Sequence, residues 1–505
     1  MRLVIQKIVG QKLVYLSILC LSTFYIYLLF SKVVAFPNWG DDFGFIDAVR
    51  KFTLEGITLS QFYYPFHNGI HVNFLMKLYL WIQFSLFGII NYKVSIISSQ
   101  LLILMGIMYI FHQFFKRQSI GILQQITCYV LLFSVKGNWD NFGLLGVLQH
   151  TFTVFCICLT AYLTTLKQKP FAAFIVVNLT LFLCSTEILG ALFLFLIWAI
   201  ISKKQYWYMY VFLSLFNIGF YYVGIKYSNE IHHIQGSAIH LNGDFVKGLL
   251  LFTGGLFSNL SIDIALGVFF VLVVTVSFWK IPGTVIEKIN SPSFFSVFIF
   301  LALLGIGVMI QLGREDSPGV GHAFSTSIDA RFSYYHLFFL ISVILSIQTW
   351  PMVFQKFGSI VCFVFSCLLY GYRLPALVRV LDLDKNRILA DAYNYKHFQE
   401  NLNYEIGSET AFKIVRSNML EFPDFKELVH KSHHMVVENY QMQQDPNFTY
   451  IRFKCPRLCR FAEIVTSQNK SFLVAVDIQT PVDAVIRIGS FWLANHTIKK
   501  IILHN

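Results

Sequence analysis

Charge is what this chain has least of. Asp, Glu, Lys and Arg make up 13% of its 505 residues, against about 25% in an ordinary soluble domain. Hydrophobic residues make up 56%, and the mean hydropathy is +0.61. That balance excludes a soluble globular protein. There is no P-loop, no GxGxxG and no GxSxG in a fitting context, so a nucleotide-driven pump or a serine hydrolase has no support. There is no internal repeat and no low-complexity segment. Acids are scarcer than bases, 27 against 39, which leaves a net charge of +12. The cations are scattered through short loops, a pattern that membrane topology explains and nucleic-acid binding does not. Cysteine offers no evident metal site. Seven of the nine (Cys20, Cys128, Cys156, Cys158, Cys184, Cys362 and Cys367) lie in apolar runs, where they are packing. Cys455 and Cys459 lie in the polar C-terminal part, where a CxxxC in an oxidising compartment is expected to form a disulfide.

What the chain has is apolar runs. They fall near 13–35, 72–90, 94–114, 119–135, 148–166, 170–184, 189–202, 206–225, 245–279, 293–312, 332–350 and 358–374, several long enough to cross a bilayer. Basic residues precede 13–35 and no small-residue cleavage site follows it, so it reads as a retained first span. Lys7 and Lys12, Lys116 and Arg117, Lys167 and Lys169, Lys203 and Lys204, Lys280 and Lys288, and Lys356 fall on one side if 72–90 lies along the interface or re-enters instead of crossing. Lys77 within that segment agrees. At 1.5 Å per residue the run 245–279 is too long for one span. Gly254, Gly255 and Asn259 interrupt it, so a re-entrant or interfacial piece and then one span, about 262–279, are expected. The fold class that follows is an all-α polytopic membrane protein of about eleven spans (residues 1–374), N-terminus inside. After it comes a small outer α+β domain (375–505) whose strands include 471–477 and 484–489.

This threading gathers the polar stretches on the outer face. Asp41 and Asp42 follow the first span directly, and a paired carboxylate is costly near a bilayer. Either the pair is a solvated helix cap, or one member is a general base that the other orients or whose proton affinity it raises. Asp140 and Glu187 are further acids there. They could support the pair, position an acceptor or bind a divalent cation such as Mg or Mn through oxygen; otherwise they are helix caps or exposed loop acids. Arg314 and Arg331 flank a Gly-containing loop and suit bidentate phosphate binding, with ion pairs to Glu315, Asp316 or Asp329 as the alternative. His67 and His71, at i and i+4, read as a plain loop or as hydrogen-bonding groups for sugar or phosphate more readily than as zinc ligands.

Together these residues resemble the polytopic glycosyltransferases of the GT-C superfamily. Asp41 and Asp42, then segment 72–90, then Asp140 match an acidic first outer loop with interfacial helices and a second acid in the next loop. His67-Asn68-Gly69-Ile70-His71 is similar to a degenerate Asn-Glu-His-Arg element, with Gly69 where Glu is expected. Gly313-Arg314 with Asp329-Ala330-Arg331 resembles a late Gly-Arg…Arg-Tyr loop. Size, Phe and Ile richness and the outer C-terminal domain are similar to the serotype-converting O-antigen glucosyltransferases carried by phages of enteric bacteria.

The resemblance implies an inverting transferase in a bacterial inner membrane, with its C-terminal domain periplasmic. A polyprenyl-phosphate sugar would be the donor and a lipid-linked glycan the acceptor. A polyprenyl-phosphate sugar synthase and a flippase would be pathway partners. A lipid-glycan flippase is the rival class, but carriers place ionisable groups at mid-membrane on broken helices and often show repeated halves. A glycan polymerase or ligase is a second rival, relying on outer-loop arginines.

Overall fold

The computed structural model describes residues 2–37, 40–63, 73–135, 142, 148–184, 186–229, 243–257, 259–313, 333–371, 374–398, 400, 413–425, 435–445, 448–455, 459–478 and 483–504. The first span is α1 (Arg2–Lys32), and α2 (Gly40–Arg50) and α3 (Leu59–Tyr63) follow it. Then come α4 (Phe74–Phe87), α5 (Tyr92–Gln118), α6 (Ile122–Leu132), α7 (Leu148–Ala161), α8 (Pro170–Leu183), α9 (Leu189–Ile201) and α10 (Trp207–Asn229). The later helices of the bundle are α11 (Gly243–Gly254), α12 (Leu260–Lys280), α13 (Val285–Asn290), α14 (Phe294–Gly313), α15 (Ser333–Ser346) and α16 (Met352–Gly371). A long polar helix, α17 (Leu374–Phe398), leads towards the C-terminal sheet.

Among the described residues, five helical stretches are long and apolar enough to cross a membrane: Val9–Lys32, Tyr92–Gln118, Leu260–Lys280, Phe294–Gln311 and a stretch within Met352–Phe398. The expected spans 119–135, 170–184, 189–202 and 332–350 contain shorter apolar helices. Large apolar side chains of α1 (Leu13, Leu16, Leu19) and α16 (Val353, Phe357, Leu368) are exposed, as lipid-facing helices require. In contrast, every residue of α15 from Tyr334 to Ser346 is buried, which makes α15 the centre of the bundle.

The basic loops meet on one face. Arg117 donates to the Leu166 carbonyl, Lys204 to Gln168 (2.8 Å), Gln168 to the Asn290 carbonyl (3.0 Å) and Asn290 to Ser202 (3.0 Å). On the opposite face, the Tyr92 N–H donates to Ala35 (3.2 Å) and Ile90 to Met419 (2.7 Å), while Ile90 accepts from Glu421 (3.0 Å). Segment 88–92 therefore shares a face with the polypeptide that follows α17. Segment 72–90 holds one apolar helix, shorter than the stretches long enough to cross. Its helix α4, about 21 Å long at 1.5 Å per residue, packs Phe74 against Tyr63 and Phe182 at one end. At its other end the chain runs through Gly88 (φ 70°) to the bonded Ile90.

The break expected in 245–279 is present. The chain leaves α11 at Gly254, and Asn259 starts α12 by accepting from the Ile262 N–H (3.2 Å). Asp263 is fully buried, and its carboxylate accepts from the Phe257 and Asn259 amides at 3.0 and 2.9 Å. It ties the break together through donors that would otherwise be orphaned.

The C-terminal part forms one antiparallel sheet, ordered β1-β7-β4-β5-β6-β3-β2. Its strands are β1 (Met435–Val436), β2 (Tyr440–Gln444), β3 (Phe448–Lys454), β4 (Phe461–Thr466), β5 (Ser471–Ile478), β6 (Asp483–Gly489) and β7 (Ile498–His504). β5 pairs with β4 through Ser471–Ala475 and with β6 through Val476–Ile478, so it carries the sheet from one half to the other. The sheet has its own apolar core, with Phe472, Ile486 and Trp492 at its centre. Residues 471–477 and 484–489 are strands, as expected.

Candidate active site

The acidic pair sits where the first span ends. α1 stops at Lys32, and α2 begins at Gly40. Asp42 lies near the start of α2 and is fully buried, as are Phe43 and Phe45 beside it. The Phe43 ring packs on Phe36 and Tyr395, and Phe36 packs on Phe422, so α17 and the segment after it wall the end of the first span. A solvated loop cap would leave Asp42 in water; the fold buries it. The Asp41 side chain lies outside the described part.

The far end of α2 is held by ions. Asp47 accepts from Arg50 (2.9 Å) and pairs with Lys51 (2.8 Å), and Arg50 reaches Glu55 (2.7 Å). Burial alone would lower the Arg50 pKa, but Glu55 and Asp47 raise it above its ordinary value. Beneath α2, the buried Lys77 ammonium donates to the carbonyls of Phe62 (2.6 Å) and Tyr63 (2.8 Å), the end of α3. Burial pushes its pKa down to about 7. Lys77 is therefore an interior group of the fold.

Glu187 is neither an exposed loop acid nor a plain cap. It lies in a short turn before α9, buried between His150 of α7 and Tyr335 of α15. The His150 Nδ1 is 2.9 Å from Oε1 and 3.0 Å from Oε2 of Glu187, and the Tyr335 hydroxyl donates to Oε2 at 2.5 Å. Nδ1 also lies 3.0 Å from the Tyr335 hydroxyl. With Nδ1–H donating to the carboxylate, a neutral ring has its lone pair on Nε2, the arrangement that orients a histidine as a base. Gly190 and Gly305 make this turn possible: a Cβ on Gly190 would lie 2.6 Å from the Ala302 carbonyl oxygen. Glycine alone lets α9 and α14 approach so closely and seat the turn.

His150 and Tyr335 escape a sequence reading because each lies in the first turn of an apolar run and is counted as part of a span. An ionisable residue at a span end is the signal that marks them. Asp140, His67, His71, Arg314 and Arg331 lie outside the described residues, although α14 ends at Gly313 and α15 begins two residues before Tyr335. Among the described residues no group of three or more His, Cys, Asp or Glu could hold a metal ion. The structure brings Cys455 and Cys459 together, buried, but does not bond them: the sulfurs lie 3.1 Å apart, against about 2.05 Å in a disulfide.

No protein-family model, curated protein or solved structure matches this chain.

Proposed function

We propose that this chain is a membrane glycosyltransferase of the GT-C type. It moves a hexose such as glucose from a polyprenyl-phosphate donor to a lipid-linked or cell-surface glycan such as O-antigen, on the outer face of a bacterial inner membrane. About eleven spans carry it, with the N-terminus cytoplasmic and the C-terminal domain periplasmic. The observation that supports this reading best is the burial of Asp42 at the end of the first span. Keeping a carboxylate out of water is costly, and a general base working in a water-excluded site is one use for it.

In this reading one of Asp41 and Asp42 takes the proton from the acceptor hydroxyl, and the other orients it. The freed oxygen attacks the anomeric carbon, and the bond from that carbon to the phosphate oxygen breaks with inversion. The polyprenyl phosphate leaves with the electron pair, its charge held by Arg314 and Arg331. Glu187, with His150 and Tyr335, supports the site from the bundle side.

The test is Asp41→Asn and Asp42→Asn, made separately and expressed at equal level, with the cell-surface polysaccharide read by mass spectrometry. Loss of a general base costs about a hundredfold to ten-thousandfold in rate, so at least one inserted, folded variant should be inactive. Normal modification by both would leave the pair as a structural cap. Arg314→Lys and Arg331→Lys keep the charge but lose the planar fork, and each should weaken donor use more than folding.

A further inference from the structure

The last turn of α1 leaves carbonyls without helical partners. Lysines from two other elements reach them. Lys93, at the start of α5, donates to the Phe30 carbonyl (2.6 Å), and Lys385 of α17 donates to the Ser31 carbonyl (2.8 Å). Lys32 itself pairs with Asp382 (2.5 Å), whose side chain is half exposed. Burial, and after it the charges of Arg460, Lys32 and Lys93, lower the Lys385 pKa from its ordinary value, with only Asp382 opposing. Arg460, just before β4, donates to Asn386 of α17 (3.0 Å), next to Lys385, so four cations from α1, α5, α17 and the sheet-bearing part gather about one acid and one helix end. The helix end supplies roughly half a negative charge, so the cluster keeps a positive excess that an anion would neutralise.

The surface below the cluster is apolar. Tyr27 and Phe30 of α1 are 64% and 54% exposed, and Val94 and Leu102 of α5 are 50% and 62% exposed. A free anion would have no use for that strip, whereas a lipid would lay its chain there.

We propose that the end of α1 is a binding site for the phosphate of a membrane lipid, held by Lys32, Lys93, Lys385 and Arg460, with the chain along α1 and α5. This stands whether or not the protein transfers sugar. If it does, the four residues named here are other than Arg314 and Arg331, to which the donor phosphate is assigned.

The full chain, purified in neutral detergent, would be titrated with phosphatidylglycerol or phosphatidylcholine and its bound lipid counted by native mass spectrometry. Phosphatidylglycerol should be retained over phosphatidylcholine. Each basic side chain near a lipid phosphate is worth about fivefold, so the Lys93→Gln/Lys385→Gln pair should lose about twenty-fivefold. Lys93→Arg/Lys385→Arg should retain binding. Should the glutamine pair fail to fold, Arg460→Gln carries the test, since Arg460 is exposed, with a several-fold loss expected. Equal retention of the two lipids by the wild type would overturn the proposal. So would wild-type binding in the folded glutamine pair, or in Arg460→Gln where that variant carries the test. Displacement of phosphatidylglycerol by millimolar inorganic phosphate would show a site for free phosphate, and would also overturn it.

Discussion

Asn394 takes the place of a strand for Leu473. Its side-chain amide donates to the Leu473 carbonyl at 2.8 Å and accepts from the Leu473 N–H at 2.9 Å. β5 meets β6 only from Val476 onward, so at Leu473 a buried helix side chain completes the ladder. The contact ties α17, and through it the end of the first span, to the sheet. Asn394→Leu keeps the volume and removes both bonds. Leaving a buried N–H or C=O unpaired costs about 1–3 kcal/mol for each group. The variant should melt lower and release the sheet earlier to protease; an unchanged digestion pattern would show that the sheet is held without it.

The Tyr335–Glu187 contact should behave as a coupled unit. Tyr335→Phe and Glu187→Gln would each lower the melting temperature in detergent. Residues that share a buried hydrogen bond couple by about 0.5–3 kcal/mol. The double variant should therefore lose less than the sum of the single losses, and simple additivity would mean that the two groups act independently.

Lys77 gives a pH dependence with a definite sign. Its folded-state pKa is about 7 against an ordinary 10.5. Between those values the unfolded chain binds a proton that the folded chain does not. Stability should therefore rise with pH across the window, by up to roughly 1.4 kcal/mol per unit, and the penalty should be complete below pH 7. The difference between wild type and Lys77→Met, followed by thermal melting, isolates this one group. Parallel curves would place the Lys77 charge in a solvated setting.

Reporter fusions after Lys167 and after Asp391 should report opposite sides of the membrane, because Lys167 belongs to the loops of the basic face while α17 joins the other face. The same side for both would break the threading. Cys455 and Cys459 extend this test. Placed in an oxidising compartment, two thiols already in contact should oxidise, and labelling of the intact protein should rise with reductant. Equal labelling with and without reductant would show that they stay reduced.

The sequence by itself determined the membrane class, the gathering of cations on one face, the break near Gly254 and Asn259, and two strands of the C-terminal sheet. These follow from local composition and periodicity. Hydropathy takes a long apolar run out of water, where its backbone must satisfy itself as a helix, and Gly or Asn interrupts it for reasons of its own backbone. Only the tertiary structure decided that Asp42 is buried, that Glu187 meets His150 and Tyr335, and that Lys77 is interior. Glu187 and Tyr335 are 148 residues apart, and no pattern along the chain encodes such a pairing. It depends on α15 taking the centre of the bundle and on Gly190 and Gly305 letting two backbones touch, and helix packing sets both after the helices exist.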